Sequence, residues 1–88
     1  MPEVIIAEHA LKHGLSAKDI EHAWEHYVAK QYRGAPNEGE IVAIGPCHNG
    51  NLIQIVALER SFGIIIYHAM EPPTDKVIDE LGIPRRKK

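Results

Sequence analysis

Residues 40–70 decide the fold of the chain, in three runs: EIVAIG (40–45), NLIQIVALE (51–59) and GIIIYHAM (63–70). Isoleucine and valine dominate these runs, and β-branched residues fit the pleated, packed surface of a sheet. The segment PCHNGN separates the first two runs, and RSFG separates the last two. The pair Asn49-Gly50 predicts the positive φ angles of a tight hairpin turn. The sequence therefore predicts a three-stranded antiparallel meander on which the remaining chain packs.

The residues before the meander predict one undecided segment and two short helices. Glu3 to Ile6 is apolar and too short for periodicity to distinguish an edge strand from a helical turn. Residues 8–13 indicate a helical segment, and Gly14 suits the left-handed stop after it. Ser16 predicts the N-cap of a second helix, with Asp19 at the position of a capping-box acid.

An apolar stripe marks the face of the second helix that should cover the sheet. Its members recur every three to four residues and are Ile20, Ala23, Trp24, Tyr27 and Val28. Residues 34–37, Gly-Ala-Pro-Asn, end the pattern. The middle strand of the meander is apolar on both faces apart from Gln54, so both faces should be covered. Helices should cover one face, and we expect a second protomer or another protein to cover the other.

The residues after the meander predict a linker, a third helix and a tail. Pro72 and Pro73 force an extended link, and Thr74 predicts the cap of a short helix over residues 75–81 that ends at Gly82. Residues 1–83 are thus predicted to form one α+β domain, in which short helices pack on a small antiparallel meander. Residues 84–88 are a basic tail that we expect to be disordered.

Composition and charge exclude several classes of protein. The 88 residues make one small domain, and no run approaches the about 20 apolar residues of a membrane span. The first residues lack the pattern of a signal peptide, and a single cysteine, Cys47, excludes an internal disulfide. These features predict a cytoplasmic protein without a membrane partner. The tail holds four of the ten basic residues, so residues 1–84 carry six basic and twelve acidic groups, a net charge of −6. That charge disfavours a polyanion unless basic groups cluster locally.

Six histidines are the residues most able to carry chemistry. His9 and His13 are four residues apart, as are His22 and His26, and this spacing puts both rings on one helix face. The two pairs could supply four metal ligands. However, the second pair lies opposite the apolar stripe and should face solvent, and neither pair contains the glutamate of a zinc-protease motif. We therefore expect no metal site and no cofactor.

His68, Glu59, Arg60 and Cys47 are the remaining candidates. The hairpin register brings His68 near residues 54–56, where it is either a core histidine bonded to a backbone carbonyl or a functional one. Glu59 and Arg60 fall at the hairpin end, where solvation is the alternative to a functional role. Cys47 precedes His48 in the turn, and we expect an exposed cysteine without the geometry of a thiolate nucleophile.

The segment Lys12-His13-Gly14-Leu15-Ser16, followed by Asp19-Ile20 and His22-Ala23, resembles the BrnT-type toxins of bacterial toxin–antitoxin pairs. It also resembles small actinobacterial proteins related to them. The likeness continues through Val42-Ala43-Ile44-Gly45, the glycine-bearing hairpin and the last two strands. It covers roughly residues 3–71 with short motifs.

This resemblance implies a RelE-like fold and a ribonuclease that arrests translation and is neutralised by a co-encoded antitoxin. It implies RNA cleavage without metal, in which a base takes the 2′-hydroxyl proton, an acid protonates the leaving oxygen and a cation stabilises the phosphate charge. Lys12 and His13 match the family's motif. On residue type alone, His68 and Glu59 are added as catalytic candidates, and His9 and Arg60 as substrate-binding candidates.

Two main hypotheses follow, and a histidine-based metal site is a third, weaker option. The first is a metal-independent endoribonuclease of the toxin type, whose partners are RNA, an antitoxin and a second protomer. Met70 stands where the family places a basic residue, and His68 where a small hydroxyl residue is common. The sequence therefore leaves open whether the chain is an active or an inactive relative of the family. The second hypothesis is a non-catalytic dimerising module of α+β fold, which the acidic body and the doubly apolar middle strand favour.

Overall fold

The computed structural model describes residues 3–34 and 38–83, which form an α+β domain around a five-stranded mixed sheet. The tail predicted at residues 84–88 lies outside the described residues. In chain order the elements are β1 (Glu3–Ile6), a 3-10 helix (Glu8–Leu11), α1 (Ala17–Glu25), β2 (Ala29–Tyr32), β3 (Glu40–Pro46), β4 (Leu52–Arg60), β5 (Gly63–Met70) and α2 (Asp75–Glu80). The strand order across the sheet is β1-β5-β4-β3-β2.

The antiparallel meander of β3, β4 and β5 is confirmed, but the first of its turns differs from the prediction. Gly50 has a positive φ of 89°, whereas no non-glycine residue among those described does, so Asn49 does not supply a second positive angle. Asn49 instead accepts a hydrogen bond from the Asn51 backbone N–H through its side chain, at 2.9 Å. The Cys47 N–H donates to the Asn51 carbonyl at 2.8 Å and closes a wider turn.

The undecided segment at the start of the chain is an edge strand. β1 pairs in parallel with β5, in a register that joins Glu3 to Gly63 and Ile6 to Ile66. A Cβ at position 63 would lie 2.1 Å from the Glu3 carbonyl oxygen, and φ there is 148°, so this close approach requires glycine. The meander is therefore extended on this side by a strand from the other end of the chain.

The strand β2 corrects the prediction that the apolar stripe of α1 continues to Val28. The helix ends at Glu25, and Tyr27 and Val28 are 44% and 60% exposed. The Val28 N–H donates to the Ile44 carbonyl at 2.8 Å, and β2 then pairs antiparallel with β3. An aromatic residue followed by a β-branched one suits a strand, and pairing with β3 overrides the helical spacing.

One face of the sheet carries α1 and the main hydrophobic core. Ile20 and Ala23 of α1 are fully buried against it, beside Ile53 and Ile55 of β4. The predicted N-cap is present, since Ser16 Oγ accepts from the Asp19 N–H at 3.1 Å.

The opposite face of the sheet is covered by the chain's own C-terminal segment, which corrects the expectation that this face requires a partner. Val77 of α2 packs with Val42, Ile44 and Val56 of the sheet, and further apolar residues join them: Tyr67, Ile78, Leu81 and Ile83. The cap predicted for α2 is present, because Thr74 Oγ1 accepts from the Val77 N–H at 3.3 Å.

Candidate functional site

The turn after β1 presents His9, Lys12 and His13 at the edge of the sheet. The Ala7 N–H donates to the Ile66 carbonyl at 2.8 Å, which ends the strand against β5 and starts the 3-10 helix. All three side chains are exposed, and Gly14, with φ 82°, turns the chain away from the edge. The predicted helix over residues 8–13 is therefore a single 3-10 turn that projects basic side chains beside β5.

His68 reaches the same edge from the last strand. A bulge between Val56 and Ala57 in the β4–β5 register leaves Tyr67 without an opposing residue on β4 and sets His68 opposite Val56. The rings of His13 and His68 meet edge to face, with 5.6 Å between centroids and 77° between planes. Two residues far apart in sequence thus form one group, which we call the His13–His68 pair.

A buried amide supports the ring of His68. Gln54 on β4 is only 6% exposed, and its Nε2 lies 3.4 Å from His68 Nε2. The Gln54 Oε1 accepts from the backbone N–H of Thr74 at 2.8 Å and from its hydroxyl at 3.1 Å. Because Thr74 also caps α2, the ring of His68 is tied through one amide to the start of that helix.

The surroundings of His68 favour its neutral form. Burial lowers the pKa of the His68 imidazole, and the nearby basic groups of His13, His9 and Arg33 lower it further. The neutral form of His68 is therefore favoured more than that of a histidine with the ordinary pKa of 6.5. His68 is not the core histidine bonded to a backbone carbonyl that the sequence left open, because its partner is a side-chain amide and the residue is only half buried.

Arg33 belongs to a partly buried network behind His68. It donates to both carboxylate oxygens of Glu80, at 2.7 and 2.9 Å, and lies 3.4 Å from Glu40. The Tyr67 hydroxyl donates to Glu40, and burial together with this carboxylate raises the pKa of Tyr67 to about 12. The network joins α2 to the sheet, pairs the Arg33 guanidinium with two carboxylates, and places it near enough to His68 to lower the pKa of that ring.

Glu59 and Arg60 are not brought to the His13–His68 pair. In the β4–β5 register Glu59 lies opposite Ile64, close to the turn that joins the two strands. His68 lies opposite Val56, further from that turn. A hydrogen bond with Glu59 raises the pKa of the Tyr32 hydroxyl, and Arg60 donates to the Glu59 carbonyl at 2.9 Å. Both residues are exposed, as a solvated hairpin end requires.

Sequence reasoning missed three residues around the pair: Gln54, Thr74 and Arg33. Gln54 had a usable signal, because it is the single polar side chain inside an otherwise apolar stretch of β4. Thr74 was recognised as a cap but not as a partner of β4. Nothing in the sequence near Arg33 indicates that its charge acts on His68.

A second group of histidines lies where α1 meets the turn between β3 and β4. The ring of His22 stacks on that of His26 and is tilted by 38° against that of His48, each at 4.3 Å between centroids. His22 Nδ1 donates to the Pro46 carbonyl at 2.8 Å, and His48 Nδ1 donates to Asp19 at 3.0 Å. His22 is consequently half buried rather than solvated as predicted, and Asp19 holds the turn instead of completing a capping box. Among the described residues, no three potential ligands are arranged to hold a metal ion.

Cys47 is buried, which corrects the prediction of an exposed cysteine. It is 3% exposed and belongs to the core beneath α1. Burial raises the pKa of its thiol, and the carboxylates of Asp19 and Glu71 raise it further. The thiol is therefore not activated as a nucleophile.

Comparison with family models, curated proteins and solved structures gives no match. Within residues 3–34 and 38–83, no helix has the length and apolar content needed to cross a membrane.

Proposed function

We propose that this chain is a metal-independent endoribonuclease of the BrnT toxin type, with a RelE-like architecture. The observation that carries the proposal is the contact of the His13 and His68 rings at the sheet edge, with 5.6 Å between centroids. Two imidazoles this close can both reach the oxygens of one phosphodiester, since a catalytic hydrogen bond spans roughly 3 Å. They therefore supply the polar groups that cleavage of an RNA backbone requires.

The local charge supports an anionic ligand, even though residues 1–84 carry a net charge of −6. The basic groups nearest in effect to His68 are His13, His9 and Arg33. Arg33 is already paired with Glu80 and Glu40, so the two histidines are the groups of this set that can meet an anion. Lys12 is exposed and adjacent to His13, and we assign it the role of stabilising the additional charge on the phosphate. The acidic remainder of the surface repels RNA and leaves this edge as the favourable approach.

The proposed reaction is an internal transfer within the RNA chain. An imidazole takes the proton of the 2′-hydroxyl, and the 2′-oxygen forms a bond to the adjacent phosphorus. The bond from phosphorus to the 5′-oxygen breaks, and the 5′-oxygen receives a proton. The products are a 2′,3′-cyclic phosphate and a 5′-hydroxyl, so the reaction consumes no co-reactant. Glu59 and Arg60 take no part, because they lie at the hairpin end of β4, opposite Ile64 and Gly63, whereas His68 lies opposite Val56.

The proposal is tested by incubating the purified chain with a synthetic RNA in the presence of a chelator. We expect cleavage that leaves a cyclic phosphate, and no cleavage of the same sequence made with 2′-deoxy nucleotides. His13→Ala should slow cleavage by about 10²- to 10⁴-fold. The matched control is His26→Ala, at an exposed histidine outside the pair, which should retain activity. Intact RNA after incubation with the wild type, or full activity of His13→Ala, would overturn the proposal.

The toxin assignment adds a partner and a compartment. We propose that the chain acts on RNA in the cytoplasm and that a co-encoded antitoxin protein neutralises it. Expression in a bacterial host should arrest growth, and co-expression of the adjacent open reading frame should relieve the arrest. The protein that this reading frame encodes should co-purify with the chain. Normal growth under strong expression of the soluble wild-type chain contradicts this assignment.

A second candidate is a non-catalytic dimerising module, and the exposed β2 edge favours it. Tyr32 on β2 is 56% exposed, and Tyr27 and Val28 just before the strand are 44% and 60% exposed. Among the described residues β2 has no strand on its outer side, where another chain could pair. Light scattering should then find a homodimer for the wild type and a monomer for Tyr32→Lys. A monomeric wild type would exclude the dimerising module. A wild-type dimer that does not cleave RNA would favour the dimerising module over the ribonuclease.

A further inference from the structure

The orientation of the Gln54 amide is determined by its partners. Its Oε1 lies 2.8 Å from the backbone nitrogen of Thr74, a group that can only donate, so the atom at this position must be the acceptor oxygen. The Thr74 hydroxyl reaches the same oxygen at 3.1 Å. The remaining atom of the amide, directed at His68, is therefore the nitrogen, which can only donate.

The amide nitrogen in turn selects the form of the His68 ring. It lies 3.4 Å from His68 Nε2, and a donor requires an acceptor opposite it. His68 Nε2 must therefore be unprotonated, and the neutral ring carries its hydrogen on Nδ1. A proton on Nε2 would set two donors against each other inside a partly buried site. Burial and the nearby basic groups act in the same direction, since both lower the pKa of His68.

We infer that Gln54 is a positioning residue that holds His68 as the neutral Nδ1–H tautomer, so that His68 donates a hydrogen bond and does not transfer a proton. This inference rests on the proposed function only for the identity of the acceptor, which is a phosphoryl oxygen of RNA. The lone pair of His68 is engaged by Gln54, and its remaining hydrogen is too weakly acidic to protonate a leaving group. A neutral imidazole in this form stabilises developing negative charge.

Proton transfer then falls to His13. Neutral His13 accepts the proton of the 2′-hydroxyl as the bond from the 2′-oxygen to phosphorus forms. It returns a proton to the 5′-oxygen as the bond from that oxygen to phosphorus breaks. The His68 Nδ1–H hydrogen bond stabilises the charge on the phosphoryl oxygen between these two events, and no further reactant is needed.

The tautomer is tested directly by two-dimensional NMR of protein with ¹⁵N-labelled histidine at about pH 7.5, where an unperturbed imidazole is largely neutral. We expect a protonated Nδ1 and an unprotonated Nε2 for His68. Gln54→Glu keeps the shape of the side chain but replaces the donor with a carboxylate oxygen, so the hydrogen should move to Nε2. The matched control is Gln31→Glu, at an exposed glutamine whose amide donates to the Glu80 carbonyl instead.

Each NMR outcome decides the inference. A wild-type His68 protonated on Nε2 would overturn it, as would a Gln54→Glu spectrum identical to that of the wild type. If Gln54→Glu does not fold, which the dispersion of its amide spectrum reveals, the wild-type tautomer alone decides.

The donor role is tested by cleavage of the synthetic RNA with two variants of His68. Asparagine offers an N–H donor but carries no titratable proton, so His68→Asn should stay within about tenfold of the wild type, whereas His68→Ala should lose about 10²- to 10³-fold. Equal losses in both variants would overturn the donor role while the ribonuclease assignment stands. A wild-type chain that leaves RNA intact defeats the ribonuclease assignment, and the NMR result then decides the tautomer independently.

Discussion

Replacing Gly45 with alanine should force α1 away from the sheet. A Cβ at this position in β3 would lie 2.1 Å from the carbonyl oxygen of Ala23 and 2.9 Å from its carbonyl carbon. Ordinary van der Waals contact begins at 3.4 Å, so the helix backbone has to withdraw by about 1.3 Å. The obstacle is backbone, which means that no change of rotamer relieves the clash.

The cost of this withdrawal follows from what the helix loses. Ile20 and Ala23 have no exposed surface and would lose part of their packing, and the 2.8 Å hydrogen bond from His22 Nδ1 to the Pro46 carbonyl would lengthen. Overpacking of a core costs about 1–3 kcal/mol, and the lost contacts add to it, so we expect a decrease of about 3 kcal/mol in the free energy of unfolding. The total free energy of unfolding of a domain of this kind is roughly 5–15 kcal/mol.

Urea denaturation followed by the fluorescence of Trp24 measures the effect. Trp24 is the single tryptophan and lies on α1, so it reports the helix that moves. Gly50→Ala is the matched control, because φ is 89° there and nothing lies within 4 Å of the new Cβ. Its left-handed backbone should cost about 1 kcal/mol. If Gly45→Ala loses no more stability than Gly50→Ala, the close approach of helix and strand is not what requires glycine.

Three further predictions concern the core, an ion pair and the cysteine. Ile55→Ala, at a side chain with no exposed surface, should cost about 3–4 kcal/mol in the same titration, and Val28→Ala, at a 60% exposed side chain, less than about 1 kcal/mol; equal costs would contradict the assigned core. Arg33 lowers the pKa of Glu80, so the ionised carboxylate contributes stability above its ordinary pKa of 4.5, and this is lost as pH falls through the lower folded-state value. The difference in unfolding free energy between the wild type and Glu80→Gln should shrink between about pH 7 and pH 3, and a constant difference would contradict the pairing. Burial raises the pKa of Cys47, so at about pH 8 an aromatic disulfide reagent should modify it at least about tenfold more slowly in the native protein than in urea; equal rates would mean that the thiol is exposed.

The elements predicted correctly from sequence are those in which local preference and tertiary packing agree. The three Ile- and Val-rich runs are strands, since each residue favours the conformation that the sheet also requires. Ser16 and Thr74 are caps because a hydroxyl three residues before an orphan backbone N–H satisfies it without help from elsewhere in the chain.

The features that sequence reasoning missed depend on residues that are distant along the chain. β2 forms because β3 offers it a partner, although the preceding residues continue a helical spacing. Cys47 is buried because α1 packs over the turn that contains it, which no local pattern reveals. The sequence names His13 and His68 as separate candidates, and only the fold brings their rings together. Gln54 becomes a partner of His68 through the bulged register of β4 and β5.

The parallel pairing of β1 with β5 ties the beginning of the domain to its last strand. Glu3 and Gly63 are sixty residues apart in sequence, so this ladder closes the longest loop in the sheet and carries a large entropic cost during folding. His13 follows β1 and His68 lies near the end of β5, which means that the two rings meet only when β1 has paired with β5. A nascent or partly unfolded chain in which β1 has not paired with β5 therefore lacks their contact.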